Sequence, residues 1–226
     1  MRSTWAEQAL AVARKDLLLE GRSRVNLNAM LFFAVMILLV FSFALGPDRT
    51  HLRAAAGGLL WLAFLFSGLL AFGRAYQLET ENNAFEGLLL IARHRSAIYA
   101  GKVLAVVAVM LGLEIIIVPL MAVLYNLDIW TALPAAFAVA VLGTLGFAAI
   151  GALYGALTMS LRAREVMLPI LLLPITVPVI LGAVRATTIV LTGATGRLDL
   201  WLELLVAFDV IFLTAGVLTF EYAVGQ

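Results

Sequence analysis

Residues 26–46 read NLNAMLFFAVMILLVFSFALG, a run of 21 residues with no charge and only Asn26, Asn28 and Ser42 polar. A bilayer core about 30 Å thick is spanned by about 20 such residues in a helix. Five further runs of this kind follow at 54–73, 103–125, 131–158, 166–184 and 201–223. None alternates apolar and polar residues as a transmembrane barrel strand does, so helices are the expected way of satisfying the backbone in lipid. The expectation is an all-α polytopic membrane protein with six transmembrane helices, forming one domain over residues 1–226.

Composition agrees. The chain is 64% hydrophobic and 13% charged, against about 45–50% and 25% in soluble domains. A net charge of +1 gives no reason to expect a nucleic-acid partner. With no cysteine there is no disulfide, thiolate metal site or Cys nucleophile. Of 15 Lys and Arg, eleven fall in the N-terminal segment and the second and fourth connections. The positive-inside rule then places both termini in the cytoplasm.

Two segments between the spans carry helical patterns. In residues 4–22, Ala6, Ala9, Leu10, Ala13 and Leu17 share a stripe opposite Glu7, Arg14 and Arg22, the pattern of a helix lying in the membrane interface. The long connection 74–102 sets Glu79, Glu81 and Glu86 around or before Leu88-Leu89-Leu90-Ile91, with Arg93 and Arg95 after. Acids early and bases late suit a short helix. Its apolar face requires something to pack on, and a partner protein is the economical answer.

Catalytic signatures do not occur. There is no Walker phosphate loop, HExxH or GxSxG. The two histidines, His51 and His94, lie in connections, so no span offers a histidine to a metal or haem. No catalytic, cofactor-binding or metal-binding residue is therefore expected.

Charge inside a bilayer is costly, which marks Glu114 in the third span and Asp209 in the sixth, with Glu203 and Glu221 nearer the ends. Either is an ion relay or substrate contact, or a hydrogen-bonded side chain at a helix or subunit contact. Pro169, Pro174 and Pro178 predict kinks in the fifth span. Gly151 to Gly155 makes a GxxxG, which favours close helix packing, within the chain or across a dimer axis.

The order of elements resembles the permease of a type-two ABC exporter. More locally, the chain resembles the CcmB family, the haem exporter permease of bacterial cytochrome c maturation. The residues that carry this are Arg14-Lys15-Asp16-Leu17, Gly46-Pro47, Gly58-Leu59-Leu60-Trp61, Arg74, Phe85-Glu86-Gly87-Leu88-Leu89-Leu90 and Lys102. Further on they are Leu142-Gly143-Thr144, Ala156-Leu157-Thr158, Leu161-Arg162 and Leu173-Pro174-Ile175-Thr176-Val177-Pro178. The chain departs from the family pattern at Ala56-Gly57-Gly58, at Ala92-Arg93 and at Ala163-Arg164-Glu165.

The resemblance implies a homodimer in the bacterial cytoplasmic (inner) membrane, bound to two copies of a separate ABC ATPase. Its coupling helix would lie in 74–102, with Phe85, Glu86, Leu88 and Leu89 seated on the ATPase and Arg14 and Lys15 in support. ATP would act through that partner. Haem would be handled by the complex, through a haem-handling membrane subunit and a periplasmic haem chaperone, with no cofactor bound by this chain. The segment 185–200 would form short re-entrant outward pieces. Two other readings stay open: a type-two exporter for a lipid, glycan or drug, and an intramembrane enzyme using Glu114 and Asp209 as an acid pair.

Overall fold

The computed structural model describes residues 4–46, 49–81, 87, 94–158, 164–193 and 196–223. Among them are seven α-helices and no strand. They are α1 (Trp5–Ser23), α2 (Val25–Ala44), α3 (Arg49–Glu81), α4 (Arg95–Tyr125), α5 (Leu133–Leu157), α6 (Arg164–Thr192) and α7 (Leu198–Ala223). Helices α2 to α7 are the six expected spans, each long and apolar enough to cross a membrane.

Local sequence sets most boundaries. Thr4 and Glu7 close a capping box at the start of α1. The Thr4 hydroxyl accepts from the Glu7 N–H at 3.3 Å, and the Thr4 N–H donates to the Glu7 carboxylate at 2.8 Å. Arg24, at φ 47°, ends α1 and starts α2, so the chain turns sharply between them. Gly46 (φ 71°) follows α2, and Asn126 (φ 51°) caps α4, a conformation asparagine tolerates better than most residues. Arg53 donates to the Asn126 carbonyl at 2.9 Å, tying the start of α3 to the end of α4.

Two expectations about boundaries need correction. The connection 74–102 is helical at both ends, because α3 runs on to Glu81 and α4 begins at Arg95. At 33 residues, α3 is about 50 Å long and overshoots the hydrocarbon core. The segment 185–200 does not break into re-entrant pieces: 185–192 prolong α6, and α7 starts at Leu198. Helix α6 runs continuously from Arg164 to Thr192 with Pro169, Pro174 and Pro178 inside it.

Helix α5 sits at the centre, packed on α3, α4, α6 and α7. About 61% of the apolar window of α3 and of α5 is buried, against 17% for α2 and α7 at the periphery. Small residues on α5 make this possible. The Trp61 ring lies over Gly143, and the Phe72 ring lies over Gly151. Trp61 is further fixed by its indole N–H, which donates to Thr187 on α6 at 2.8 Å. The GxxxG stretch of α5 thus receives a side chain of its own fold, and Gly151 is not open to a second copy. Peripheral α2 is pinned at two carbonyls, by Ser67 to Met30 (3.1 Å) and by Tyr125 to Leu38 (3.0 Å).

Candidate functional site

The most densely bonded polar region outside the apolar core joins α1 to the first two turns of α4. Trp5 donates its indole N–H to Ser96 at 3.1 Å, and the His94 N–H donates to the Gln8 side chain at 3.3 Å. One turn on, Gly101 lies flush against Val12 and the Ala9 carbonyl. A side chain there would strike backbone. At the far end the Lys102 ammonium, 1% exposed, meets Asp16 at 3.2 Å, and Asp16 also holds Lys15 at 3.0 Å.

This arrangement divides the predicted stripe of α1. Ala9 and Ala13 face α4 and are buried, whereas Leu10 and Leu17 are 62% and 38% exposed. The helix therefore meets protein along one edge and leaves an apolar strip open, as an interfacial helix does. Arg14 is exposed, and Lys15 is half-buried beside Asp16. Phe85, Glu86, Leu88 and Leu89, nominated as the coupling residues, lie outside the described residues. What the structure does give is the downstream end of that segment, bolted to α1 through His94, Ser96, Gly101 and Lys102.

The two intramembrane acids are both buried and sit apart. Thr144 on α5 donates its hydroxyl to one oxygen of Glu114, whose other oxygen has no hydrogen-bond partner. Neither oxygen of Asp209 has one. Instead Asp209 leans on Gly146, its carboxylate 2.5 Å from where a Cβ would stand. Positions 144 and 146 lie about 200° apart around α5. The carboxyls therefore reach α5 on different faces and do not form the acid pair that an enzyme reading needs. Among the described residues, no group of His, Asp and Glu is placed to hold a metal ion.

Glu114 is best understood as a link between α4 and α5. Glu114→Gln keeps an acceptor for Thr144 and is expected to shift the thermal midpoint in detergent by less than about 2 °C. Glu114→Ala removes the acceptor and opens a gap, and is expected to lower it by about 4–8 °C. Equal effects of the two would contradict the link.

Several residues named above only as pattern acquire roles. Asp16, Trp61, Lys102, Gly143 and Thr144 each make an interhelical contact. Tyr99 was not singled out by the sequence. Its hydroxyl lies at 2.9 Å from the Ala149 carbonyl on α5 and 3.3 Å from that of Phe212 on α7, with its ring against Gly216. The capping pattern Thr4 to Glu7 was a readable signal for the start of α1. No spacing could have found Tyr99.

Fold and contacts define a polytopic α-helical membrane protein with a lateral helix clamped to its third span. Comparison with known proteins makes this more specific. The CcmB protein family model matches residues 7–225, and the chain belongs to that family. "Heme exporter protein B" of Haemophilus influenzae is 32% identical over 177 residues, 77% of this chain and 78% of that protein. The protein of the same name from Pseudomonas aeruginosa is 32% identical over 205 residues, 88% of this chain and 89% of the relative. That from Escherichia coli K12 is 31% identical over 177 residues, covering 77% and 79%.

Proposed function

We propose that this chain is the permease subunit of an ABC complex of cytochrome c maturation in the bacterial inner membrane. The observation that carries the reading is the match to the CcmB family along nearly the whole chain, together with relatives named for haem export. The chain itself has six spans and no phosphate-binding loop, so energy must come from a partner. Two copies of an ABC ATPase would dock beneath two copies of this chain, which themselves form the dimer. Phe85, Glu86, Leu88 and Leu89 would seat in the ATPase, with Arg14 and Lys15 alongside. The clamp between α1 and α4 supports this placement, since it anchors the end of the segment that those residues occupy.

In operation, closure of the ATPase dimer on ATP displaces the 82–94 segment and biases the spans between two packings. Work done in this way drives delivery of haem, or release of a haem-loaded periplasmic chaperone, with haem held by a companion membrane subunit. His51 lies in the first turn of α3 and His94 just before α4, so neither histidine stands midway along a span to ligate haem there. The prolines of α6 would let that helix flex between the two packings. The excess of Lys and Arg in the N-terminal, second and fourth connections keeps both termini in the cytoplasm. A type-two exporter of a lipid, glycan or drug is the second reading, favoured only by the departures at Ala56-Gly57-Gly58, Ala92-Arg93 and Ala163-Arg164-Glu165.

Affinity purification of the tagged chain from its native membrane tests the proposal. An ATP-binding subunit is expected in equimolar amount, with ATP hydrolysis in the eluate. Purification of the chain free of any ATPase would contradict it.

A further inference from the structure

The proposal above names the residues that receive the ATPase but not those that pass its motion on, and the α1–α4 contact answers that question. We propose that the Lys102–Asp16 pair is the positioning contact through which α1 moves α4 as one body. This rests on the permease reading.

Three features carry it. First, α1 packs far more extensively on α4 than on α2, its neighbour in sequence, from which Arg24 separates it by a left-handed turn. A push on α1 therefore reaches the third span before the first. Second, the seam is tight and directional. Gly101 brings the two backbones together at Val12 and Ala9, and Lys102 and Asp16 lock the register one residue later. An apolar seam could slide by a turn, whereas a buried ion pair holds its two charges at one position. Third, the same turns of α4 grip the rest of the bundle. Tyr99, three residues before Lys102, reaches carbonyls of both α5 and α7, and Glu114 further along meets Thr144 of α5. The first turns of α4 thus join the lateral helix on one side to the central and sixth spans on the other. Lys15, the second cation on Asp16, keeps the acid oriented along the seam.

The experiment uses the whole complex with its ATPase, reading three quantities: ATPase retained on purification, ATP hydrolysed, and holocytochrome c formed in cells. Asp16→Asn and Lys102→Met are each expected to retain the ATPase and hydrolyse ATP within about twofold of the parent. Holocytochrome c should fall about tenfold, so that hydrolysis and output separate. The double variant is expected to be no worse than either single one, as befits two residues acting as a unit. Asp16→Asn changes no volume and decides the matter should Lys102→Met fail to accumulate. Undiminished output from Asp16→Asn would overturn the proposal. So would hydrolysis falling in parallel with output, which marks a merely structural contact, or a double variant whose loss is the product of the singles. If the unaltered chain retains no ATPase, the permease reading fails and the proposal falls with it. If the ATPase is retained but Asp16→Asn stays coupled, the reading stands and only the pair is wrong.

Discussion

Gly143→Val is expected to remove the protein from the membrane, with at least a tenfold loss of folded chain by fluorescence-detected size exclusion. The Trp61 ring occupies the space that a side chain at 143 would fill. It cannot swing aside, because its indole N–H is bound to Thr187 and its other edge meets Phe64 at 5.8 Å between centroids. Overpacking a well-filled core costs about 1–3 kcal/mol where neighbours can yield, and more where they cannot. Here three helices meet at one side chain, and small residues are what allow transmembrane helices to approach so closely. Gly112→Val is the control. It adds the same atoms to a span, but nothing stands within 4 Å of a Cβ at that position. Equal accumulation of the two variants would show that the central packing is not as described.

Leu89→Asp is expected to abolish co-purification of the ATPase while leaving the spans folded. The run Leu88 to Ile91 is the only apolar stretch in the segment between α3 and α4. A buried apolar anchor at an interface costs about 2–4 kcal/mol when lost, roughly 30-fold to 1000-fold in affinity. A carboxylate forced into the same pocket does worse, since it is left unpaired. Arg14→Ala, on an exposed residue of α1, is expected to cost about 1 kcal/mol or less. Full ATPase retention by Leu89→Asp would remove the coupling role from this segment.

How much could be read from the sequence follows from the physics of each feature. The six spans were legible because apolar length is a local property, and all six were recovered as helices. Their ends were not. Arg95 and Lys102 read as marks of a connection, yet α4 begins at Arg95 because Lys102 finds Asp16, 86 residues away. A charge neutralised by a distant partner looks, in sequence, the same as one in water. The Gly151 to Gly155 motif shows the reverse problem: its small residues announced a close approach but not which chain makes it, and Phe72 of the same chain fills Gly151. Glu114 and Asp209 were recognisable as unusual from hydropathy alone. Their separation on two faces of α5 depends on Thr144 and Gly146, which only packing reveals. The prolines of α6 signal lost backbone donors, and the helix is continuous through them.

The central claim, an ATP-coupled permease of cytochrome c maturation, is tested most directly by haem staining of membrane proteins from a strain lacking this chain and any second copy of its gene. The account predicts loss of covalently bound haem from c-type cytochromes, with b-type cytochromes unaffected and full recovery from a plasmid copy. Normal c-type cytochromes in that strain would contradict it.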